Sequence, residues 1–248
     1  MKYYFITDDS EKSLAPFFSK MVLSASFMSV VIISVILLIC WPAEPLAGFI
    51  IVNKTPLAFF LIFGATLIVY SYVNLCCGSG DMIQSGYHII KYRTDRSTFE
   101  KEINFFRYGL IEFLLHTLFL LLPFLPLLIL AASISAVSLV AFVQALFILY
   151  TASLLCRMFG FMVYLFWGRL STLGYFTARA FILIFIFGTF IFAPFINPLQ
   201  VLYLLNESPS AMGLPFVLYM AIVMFATLLL ILANHRLVKR HINQEKTT

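Results

Sequence analysis

Long apolar runs, separated by short polar segments, make up most of this sequence. Six runs are long enough to cross a bilayer, because a transmembrane helix needs about 20 mostly apolar residues. They are Met21–Trp41, Leu57–Cys77, Tyr108–Ala132, Ser135–Cys156, Phe176–Pro198 and Gly213–Asn234. Open strands are excluded, because their unpaired backbone groups cannot be satisfied in hydrocarbon. The pattern therefore predicts an all-α integral membrane protein with six transmembrane helices, in a single transmembrane domain over residues 1–248.

Composition indicates the same class. Hydrophobic residues make up 62% of the chain and charged residues 11%, whereas an ordinary soluble domain has about 45–50% and about 25%. A seventh apolar run, Met158–Gly168, directly follows Arg157 and is too short to cross. It is either a continuation of the fourth helix or a helix lying at the interface. The first run follows residues 1–20 and is long enough to span, so we expect a retained anchor rather than a cleaved signal peptide.

The basic residues predict how the spans are oriented. Fifteen of the sixteen Lys and Arg fall on one side of the six spans, in the two tails and in the loops after the second and fourth spans. They are Lys2, Lys12, Lys20, Lys91, Arg93, Arg96, Lys101, Arg107, Arg157, Arg169, Arg179, Arg236, Lys239, Arg240 and Lys246. Lys54 alone falls on the other side. Cytoplasmic loops carry the excess of Lys and Arg, so both termini are expected in the cytoplasm. The net charge of +5 then follows from topology, and we expect no nucleic-acid partner.

The segments outside the spans differ in character. Residues 1–20 mix charges with apolar side chains, which suits a cytoplasmic tail lying along the headgroups, and a frayed tail is the alternative. Residues 235–248 form a basic cytoplasmic tail. The external connection Leu199–Met212 contains the apolar patch LQVLYLL, which is suited to dipping back into the outer leaflet.

Prolines predict two irregular places within the helices. Pro123 and Pro126 lie in the outer half of the third span, where each removes a backbone donor and favours a kink. Pro194 and Pro198 predict a broken exit at the end of the fifth span. Such breaks either shape a substrate path or are tolerated packing features.

Cysteines give no sign of a disulfide framework or a metal site. Cys76, Cys77 and Cys156 are expected at cytoplasmic helix ends, and Cys40 on the external side. Adjacent Cys76 and Cys77 lack partners at metal-ligand spacing. We therefore expect small residues at the membrane boundary and no metal.

Ionisable groups inside the predicted spans are few. Glu112 and His116 alone fall clearly within a span, four residues apart and on one face of the third helix. They form either a structural pair or part of a gate or polar pathway. No catalytic constellation is present, since zinc-protease and serine-hydrolase motifs are missing. The chain also lacks the P-loop motif, so a function that needs ATP requires another subunit.

The longest predicted cytoplasmic loop, residues 78–107, contains two capped amphipathic segments that meet at TDRS. Asp81 followed by Gln84 begins the first segment, which should end near Arg93, and a second capping box follows. The apolar stripes are Ile83, Tyr87 and Ile90 in the first segment, and Phe99, Ile103 and Phe106 in the second. A solvated loop that enforces topology and binds anionic lipid is one interpretation. Its mixed charges and apolar stripes favour the other, a surface for a protein partner.

The whole-chain layout resembles the membrane subunit of an ABC transporter of the ABC-2 type. An amphipathic tail, six spans, a cytoplasmic element between the second and third spans and a basic tail all correspond. Locally, GDMIQSGYHIIKYRTDRSTFEK looks like the family's acidic, glycine, apolar, arginine and lysine progression, with Asp81, Gly86, Ile89, Ile90, Arg96, Ser97 and Lys101 at comparable places. The sequence departs from that progression at two positions, since Tyr87 follows Gly86 and Thr94 stands where the family has proline.

The resemblance implies a permease of a bacterial or archaeal inner (plasma) membrane that forms a homo- or heterodimer. It also implies a separate P-loop ATPase subunit, which would hold ATP and Mg and dock on residues 78–107. The coupling residues would be Asp81, Gly86, Ile89, Ile90, Arg93, Arg96 and Lys101. The many Phe residues, 28 in all, suit export of an apolar or amphipathic cargo. The competing hypothesis is a non-transporting anchor or assembly subunit of a larger membrane complex.

Overall fold

This computed structural model describes residues 4–5, 27–28, 30–32, 34, 56–79, 90–91, 110–111, 113–167, 171–207 and 213–247. Within these segments the regular structure is helical, apart from two strands of two residues each, Tyr4–Phe5 (β1) and Ile90–Lys91 (β2). The helices are α1 (Pro56–Ser79), α2 (Phe113–Ser133), α3 (Leu139–Trp167), α4 (Thr172–Phe192), α5 (Pro198–Glu207) and α6 (Gly213–Thr247).

Five helices of the described segments are long and apolar enough to cross a membrane: α1, α2, α3, α4 and α6. They correspond to the second to sixth predicted spans, so the chain is a multi-pass membrane protein. Within the predicted first span, Met21–Trp41, the positions described are 27–28, 30–32 and 34, and all of these are helical. The remainder of that span lies outside the described residues, and the count of six spans with both termini in the cytoplasm stays a prediction.

The two strands correct one local prediction. β1 and β2 pair antiparallel, with Tyr4 opposite Lys91 and Phe5 opposite Ile90. The helix predicted through Ile90 is therefore wrong at this residue, because its backbone is extended and pairs with the amino-terminal strand. A strand partner can satisfy a backbone donor as well as a carbonyl of the preceding helical turn does. Periodicity alone did not reveal that such a partner exists.

Helices α1 and α3 form the centre of the bundle and cross in backbone contact. A methyl group on Gly78 would collide with the carbonyl oxygen of Arg157 and lie 2.9 Å from the amide nitrogen of Phe161. A methyl group on Gly160 would collide with the carbonyl oxygen of Leu75. Glycine on both helices permits this approach, as small residues commonly do between membrane helices. Of the five candidate spans, α1 is the most buried and α6 the least.

Helix α3 is longer than the predicted fourth span. It continues without a break through the run that begins at Met158 and ends at Trp167. Of the two alternatives for this run, the continuation of the fourth helix is confirmed and the interfacial helix is wrong. Cys156 accordingly lies inside α3 and is buried, rather than at a helix end as predicted. The basic residue Arg157 did not end the helix, because its charge is accommodated inside the bundle.

Prolines interrupt α2 and the end of α4, as predicted. In α2, Pro123 lies in a 3-10 turn, Leu122–Phe124, before the α-helix resumes at Leu125. Helix α4 ends at Phe192, earlier than predicted, and a second 3-10 turn over Pro194–Ile196 leads to α5. Proline is well suited to the first residues of such a turn, because its missing donor has no helical partner to lose.

Asn197 connects this turn back to a π-helical segment of α4, Ile184–Gly188. Its side chain is buried, and Nδ2 donates to the carbonyl oxygen of Ile186 at 2.6 Å and to Oγ1 of Thr189 at 2.8 Å. Its Oδ1 accepts from the backbone nitrogen of Gln200 at 2.9 Å, near the start of α5. A π-helix shifts the usual hydrogen-bond pattern, and the Asn197 amide supplies a donor there. The Asn197 side chain therefore connects the end of α4 to the start of α5.

Helices α5 and α6 lie on either side of residues 208–212. The patch LQVLYLL forms most of α5, whose Val201, Leu202 and Leu205 are buried where α5 packs against α1 and α3. Helix α6 begins at Gly213 as predicted but passes Asn234 and runs on through the basic tail to Thr247. Entry of α5 into the outer leaflet stays a prediction.

Candidate functional site

Arg157 is a charged side chain inside the bundle, with only 1% of its surface exposed. It occupies an interior position of α3, which continues for ten further residues to Trp167. The prediction that placed Arg157 in a cytoplasmic loop is therefore wrong. A charged group within a membrane span is costly and is rarely retained without a structural or functional role.

The guanidinium joins three helices. Nη1 of Arg157 lies 3.3 Å from Oδ1 of Asn74 on α1 and 3.4 Å from Oγ1 of Thr117 on α2, and it donates to both. The centre of the guanidinium lies 5.0 Å from the ring centroid of Phe113, also on α2, which provides a cation–π contact. We call Arg157, Asn74, Thr117 and Phe113 the Arg157 centre.

Backbone contacts orient the polar partners of the Arg157 centre. Nδ2 of Asn74 donates to the carbonyl oxygen of Tyr70 at 2.9 Å, which turns Oδ1 of Asn74 toward the arginine. The Tyr70 hydroxyl donates in turn to the carbonyl oxygen of Thr117. Oγ1 of Thr117 donates to the carbonyl oxygen of Phe113 at 2.8 Å, so this oxygen presents its lone pair to Arg157. These backbone contacts hold both acceptors in place independently of the guanidinium.

The Arg157 side chain runs back along α1. Its own carbonyl oxygen lies where a methyl group of Gly78 would be, whereas its guanidinium reaches Asn74, one helical turn earlier. The side chain therefore points away from the end of α1 at Ser79. Next to Arg157, the carbonyl oxygen of Met158 accepts a hydrogen bond of 2.9 Å from Nδ2 of Asn234, which ties α6 to the same level. Four spans therefore meet around this arginine.

Other polar groups line the same interior without forming a catalytic set. The hydroxyls of Ser71 and Ser153 lie 3.1 Å apart between α1 and α3, and the Tyr150 hydroxyl donates to the carbonyl oxygen of Leu114 at 3.2 Å. In the part of the chain that the structure describes, no group of three His, Cys, Asp or Glu could hold a metal ion. What the arrangement offers is a fixed positive charge with oriented hydrogen-bonding groups.

The candidate residues predicted from sequence are mostly not among those described. His116 lies on α2 and is fully buried, next to Thr117 of the Arg157 centre. Its predicted partner Glu112 lies outside the described residues, so their pairing stays a prediction. Of the coupling residues, Ile90 is in β2. The other coupling residues, Asp81, Gly86, Ile89, Arg93, Arg96 and Lys101, also lie outside the described residues.

Sequence reasoning missed the Arg157 centre because it treated a basic residue as the end of a span. The signal was nevertheless present: apolar residues continue after Arg157, and no proline falls between Leu139 and Trp167. Asn74 is also the only carboxamide in α1. An arginine and an amide at corresponding depths of two spans indicate a buried polar contact.

Together these contacts make the Arg157 centre the principal buried charge of the described bundle. Its cation is shared by α1, α2 and α3, and its acceptors are oriented by the backbones of the first two helices. The arrangement can hold these helices at a fixed register or respond when one of them moves. Comparisons of the chain with models of protein families, with curated proteins and with solved structures found no match.

Proposed function

We propose that this chain is the membrane subunit of an ABC-2 type transporter, energised by a separate P-loop ATPase. The chain works as a dimer with a second permease copy or a related permease. It spans the membrane six times, with Met21–Trp41 as its first span, and exports an apolar or amphipathic cargo. ATP and Mg are held by the partner, which docks on residues 78–107.

The observation that supports this proposal most directly is the position of the Arg157 centre relative to the docking segment. Helix α1 ends at Ser79, five residues after Asn74, and Phe113 and Thr117 lie in the opening turns of α2. The guanidinium of Arg157 therefore links the two helices that enter and leave the docking segment. A displacement of that segment would reach the core of the bundle through these contacts.

A second candidate is a non-transporting anchor or assembly subunit. The tight enclosure of Arg157, at 1% exposure, favours it, because a permanent scaffold needs helices locked at one register. In that case residues 78–107 hold a partner without transmitting movement. The two proposals share the docking segment and differ in what ATP hydrolysis by the partner does to the membrane helices.

The experiment uses the full chain purified from its native membrane and reconstituted with its partners into vesicles. We expect a P-loop ATPase to co-purify and to drive ATP-dependent movement of a fluorescent phospholipid analogue between the leaflets. Gly86→Pro and Arg96→Glu should abolish movement while ATP hydrolysis and membrane insertion persist. Lys54→Glu is the matched control, since it reverses a charge on the predicted external side and should leave movement intact.

Three results separate the proposals. Absence of any P-loop ATPase partner would overturn the transport proposal. An ATPase partner whose hydrolysis moves no cargo, in wild type as in the variants, would support the anchor instead. Unchanged coupling in both Gly86→Pro and Arg96→Glu would remove the docking segment from the mechanism.

A further inference from the structure

The carboxyl-terminal end of α4 leads into a short segment that lies between two fixed points. Residues 189–196 connect the π-helical segment Ile184–Gly188 to Asn197, which directly precedes α5. None of residues 189–196 is buried, whereas Phe185 and Ile186 before them and Asn197 after them are. We call residues 189–196 the flap.

The flap carries apolar side chains but buries little of them. Four are large, apolar and between 51% and 86% exposed: Phe190, Ile191, Phe192 and Phe195. The last turn of the flap, Pro194–Ile196, packs against α6, whereas the earlier part of α4, Thr172–Leu183, packs against α1 and α3. A segment with few buried apolar contacts opens at a lower cost in free energy than the core beside it. Displacing the flap therefore removes little buried apolar surface.

The segment before the flap has the properties of a hinge. Ile184–Gly188 is π-helical, and π turns within α-helices occur where helices bend and frequently at functional sites. Gly188 ends this segment, and a methyl group added to it would lie 3.5 Å from Cγ2 of Ile184, which is an ordinary contact. Packing therefore does not require glycine at this position. Glycine instead gives the backbone freedom at the point where the flap begins.

Asn197 ties the two ends of the flap together. Its Nδ2 donates to the carbonyl oxygen of Ile186, before the flap, at 2.6 Å and to Oγ1 of Thr189, the first residue of the flap, at 2.8 Å. Its Oδ1 accepts from the backbone nitrogen of Gln200 on α5 at 2.9 Å. Since α5 is anchored by buried apolar residues, this one amide links the start of the flap to a fixed helix.

We propose that the flap is a hinged lid, which turns at Ile184–Gly188 and is held closed by Asn197. When the hydrogen bonds from Asn197 to α4 break, the turn Pro194–Ile196 moves off α6, and α5 stays in place through its buried Val201 and Leu202. Opening uncovers the part of α6 that this turn contacts when the lid is closed. The charge distribution predicts that this end of the bundle is external. The proposal does not depend on transport, since the lid covers α6 in an anchor subunit as well.

The test measures distances between spin labels in the full chain, reconstituted into phosphatidylcholine vesicles. Every sample carries Cys40→Ser, and the three other cysteines are buried. The flap pair joins labels at Phe192→Cys in the flap and Leu214→Cys in α6. The bundle pair joins labels at Leu139→Cys in α3 and Leu214→Cys. All three positions are exposed, at 73–86%.

Asn197→Leu removes the hydrogen bonds and keeps much of the side-chain volume, so the flap pair should lengthen while the bundle pair stays unchanged. Loss of the two hydrogen bonds to α4 corresponds to about a tenfold rise in the ratio of open to closed lid. Thr177→Val is the matched control, because it removes a hydrogen bond to the Leu173 carbonyl in the earlier part of α4 and should alter neither pair. Adding Gly188→Ala to Asn197→Leu should lower the ratio about fivefold, since alanine favours the helical backbone.

Four results would overturn the proposal. They are an unchanged flap pair in Asn197→Leu, an equal change in Thr177→Val, a change of the same size in the bundle pair, and no reversal by Gly188→Ala. If Asn197→Leu fails to fold by circular dichroism, Thr189→Val decides. That variant removes one of the hydrogen bonds of Asn197 and should lengthen the flap pair in a smaller fraction of molecules, so an unchanged flap pair there contradicts the hinged lid.

Discussion

Two arginines lie at the same level of α1, on different faces of the helix, and have opposite surroundings. Arg157 contacts Asn74, whereas Arg179 contacts Tyr72 and Cys76, which lie two residues to either side of it. A step of two residues turns an α-helix through about 200°, so these contacts point in nearly opposite directions. Arg157 is enclosed by three helices, and Arg179 remains at the edge of the bundle on exposed tyrosines.

The difference follows from the direction of each helix. Helices α3 and α4 run antiparallel, since Phe159 stacks on Phe181 with ring centroids 3.7 Å apart and Trp167 meets Gly174. Side chains lean toward the amino-terminal end of their helix. The same rule therefore directs Arg157 into the bundle and Arg179 toward the end of it. Arg157 then connects three helices inside the bundle, whereas Arg179 lies against Tyr72 and Tyr175 at its edge.

The largest expected effect is on stability, from removing Arg157. Arg157→Ala takes the shared donor away from Asn74 and Thr117 and leaves a cavity in an enclosed site, and truncating a large buried side chain to alanine costs about 2–5 kcal/mol. We expect the free energy of unfolding in mixed micelles to fall by that amount. Arg157→Lys keeps the charge but has no planar fork, so its loss should be intermediate.

Arg157→Met is the control for lost packing, since it restores much of the side-chain volume without charge or donors. Stability equal to wild type in Arg157→Met, with Arg157→Ala still destabilised, would show that volume and not hydrogen bonding matters at this position. Wild-type stability in Arg157→Ala itself would contradict the structural role of the Arg157 centre.

Much of the fold was predictable because the bilayer imposes it. Each of the five candidate spans overlaps a predicted run, since an apolar stretch of the required length has few alternatives to a membrane helix. The prolines at 123 and 194 also marked real interruptions, because proline removes a backbone donor wherever it stands. These constraints act locally, so they can be predicted from the sequence alone.

The candidate site was not predictable in the same way. The apolar residues after Arg157 indicate a continuing helix, but they do not identify its partners Asn74 and Thr117, which are 83 and 40 positions away in the chain. The glycine contact that brings α1 to α3 likewise involves Gly78 and Gly160, which carry no local signal of crossing. Contacts between helices depend on how each helix is rotated about its own axis and how far it is shifted along its neighbour. An almost uniformly apolar sequence specifies neither.

The next prediction compares two residues of α1, one that contacts Arg157 and one that contacts Arg179. Asn74→Leu removes the acceptor of Arg157 and leaves the space filled, and a hydrogen bond to a charged group is worth about 1.5–3 kcal/mol. Tyr72→Leu removes the exposed tyrosine beside Arg179 and should cost less than about 1 kcal/mol. Unfolding of both variants under identical detergent conditions measures the difference. Equal losses would mean that the two faces of α1 do not differ in the way described.

Gly78, where α1 crosses α3, gives a slightly smaller expected effect on stability. It lies beside Arg157 and tests the Arg157 centre without involving Arg179. Gly78→Ala places a methyl group against the Arg157 backbone, and overpacking of this kind costs about 1–3 kcal/mol. Gly213→Ala is the matched control, because nothing lies within 4 Å of its added methyl group. Thermal unfolding should separate the two variants. Indistinguishable unfolding would contradict backbone contact between α1 and α3.

The smallest expected effect on stability is that of replacing Arg179. It tests the difference between Arg179 and Arg157 most directly. Contacts of charged side chains near the surface contribute about 0–1 kcal/mol, and Arg179 is partly exposed, so Arg179→Gln in neutral detergent should unfold nearly as wild type does. A loss in Arg179→Gln as large as that in Arg157→Ala would contradict the difference in enclosure between the two arginines.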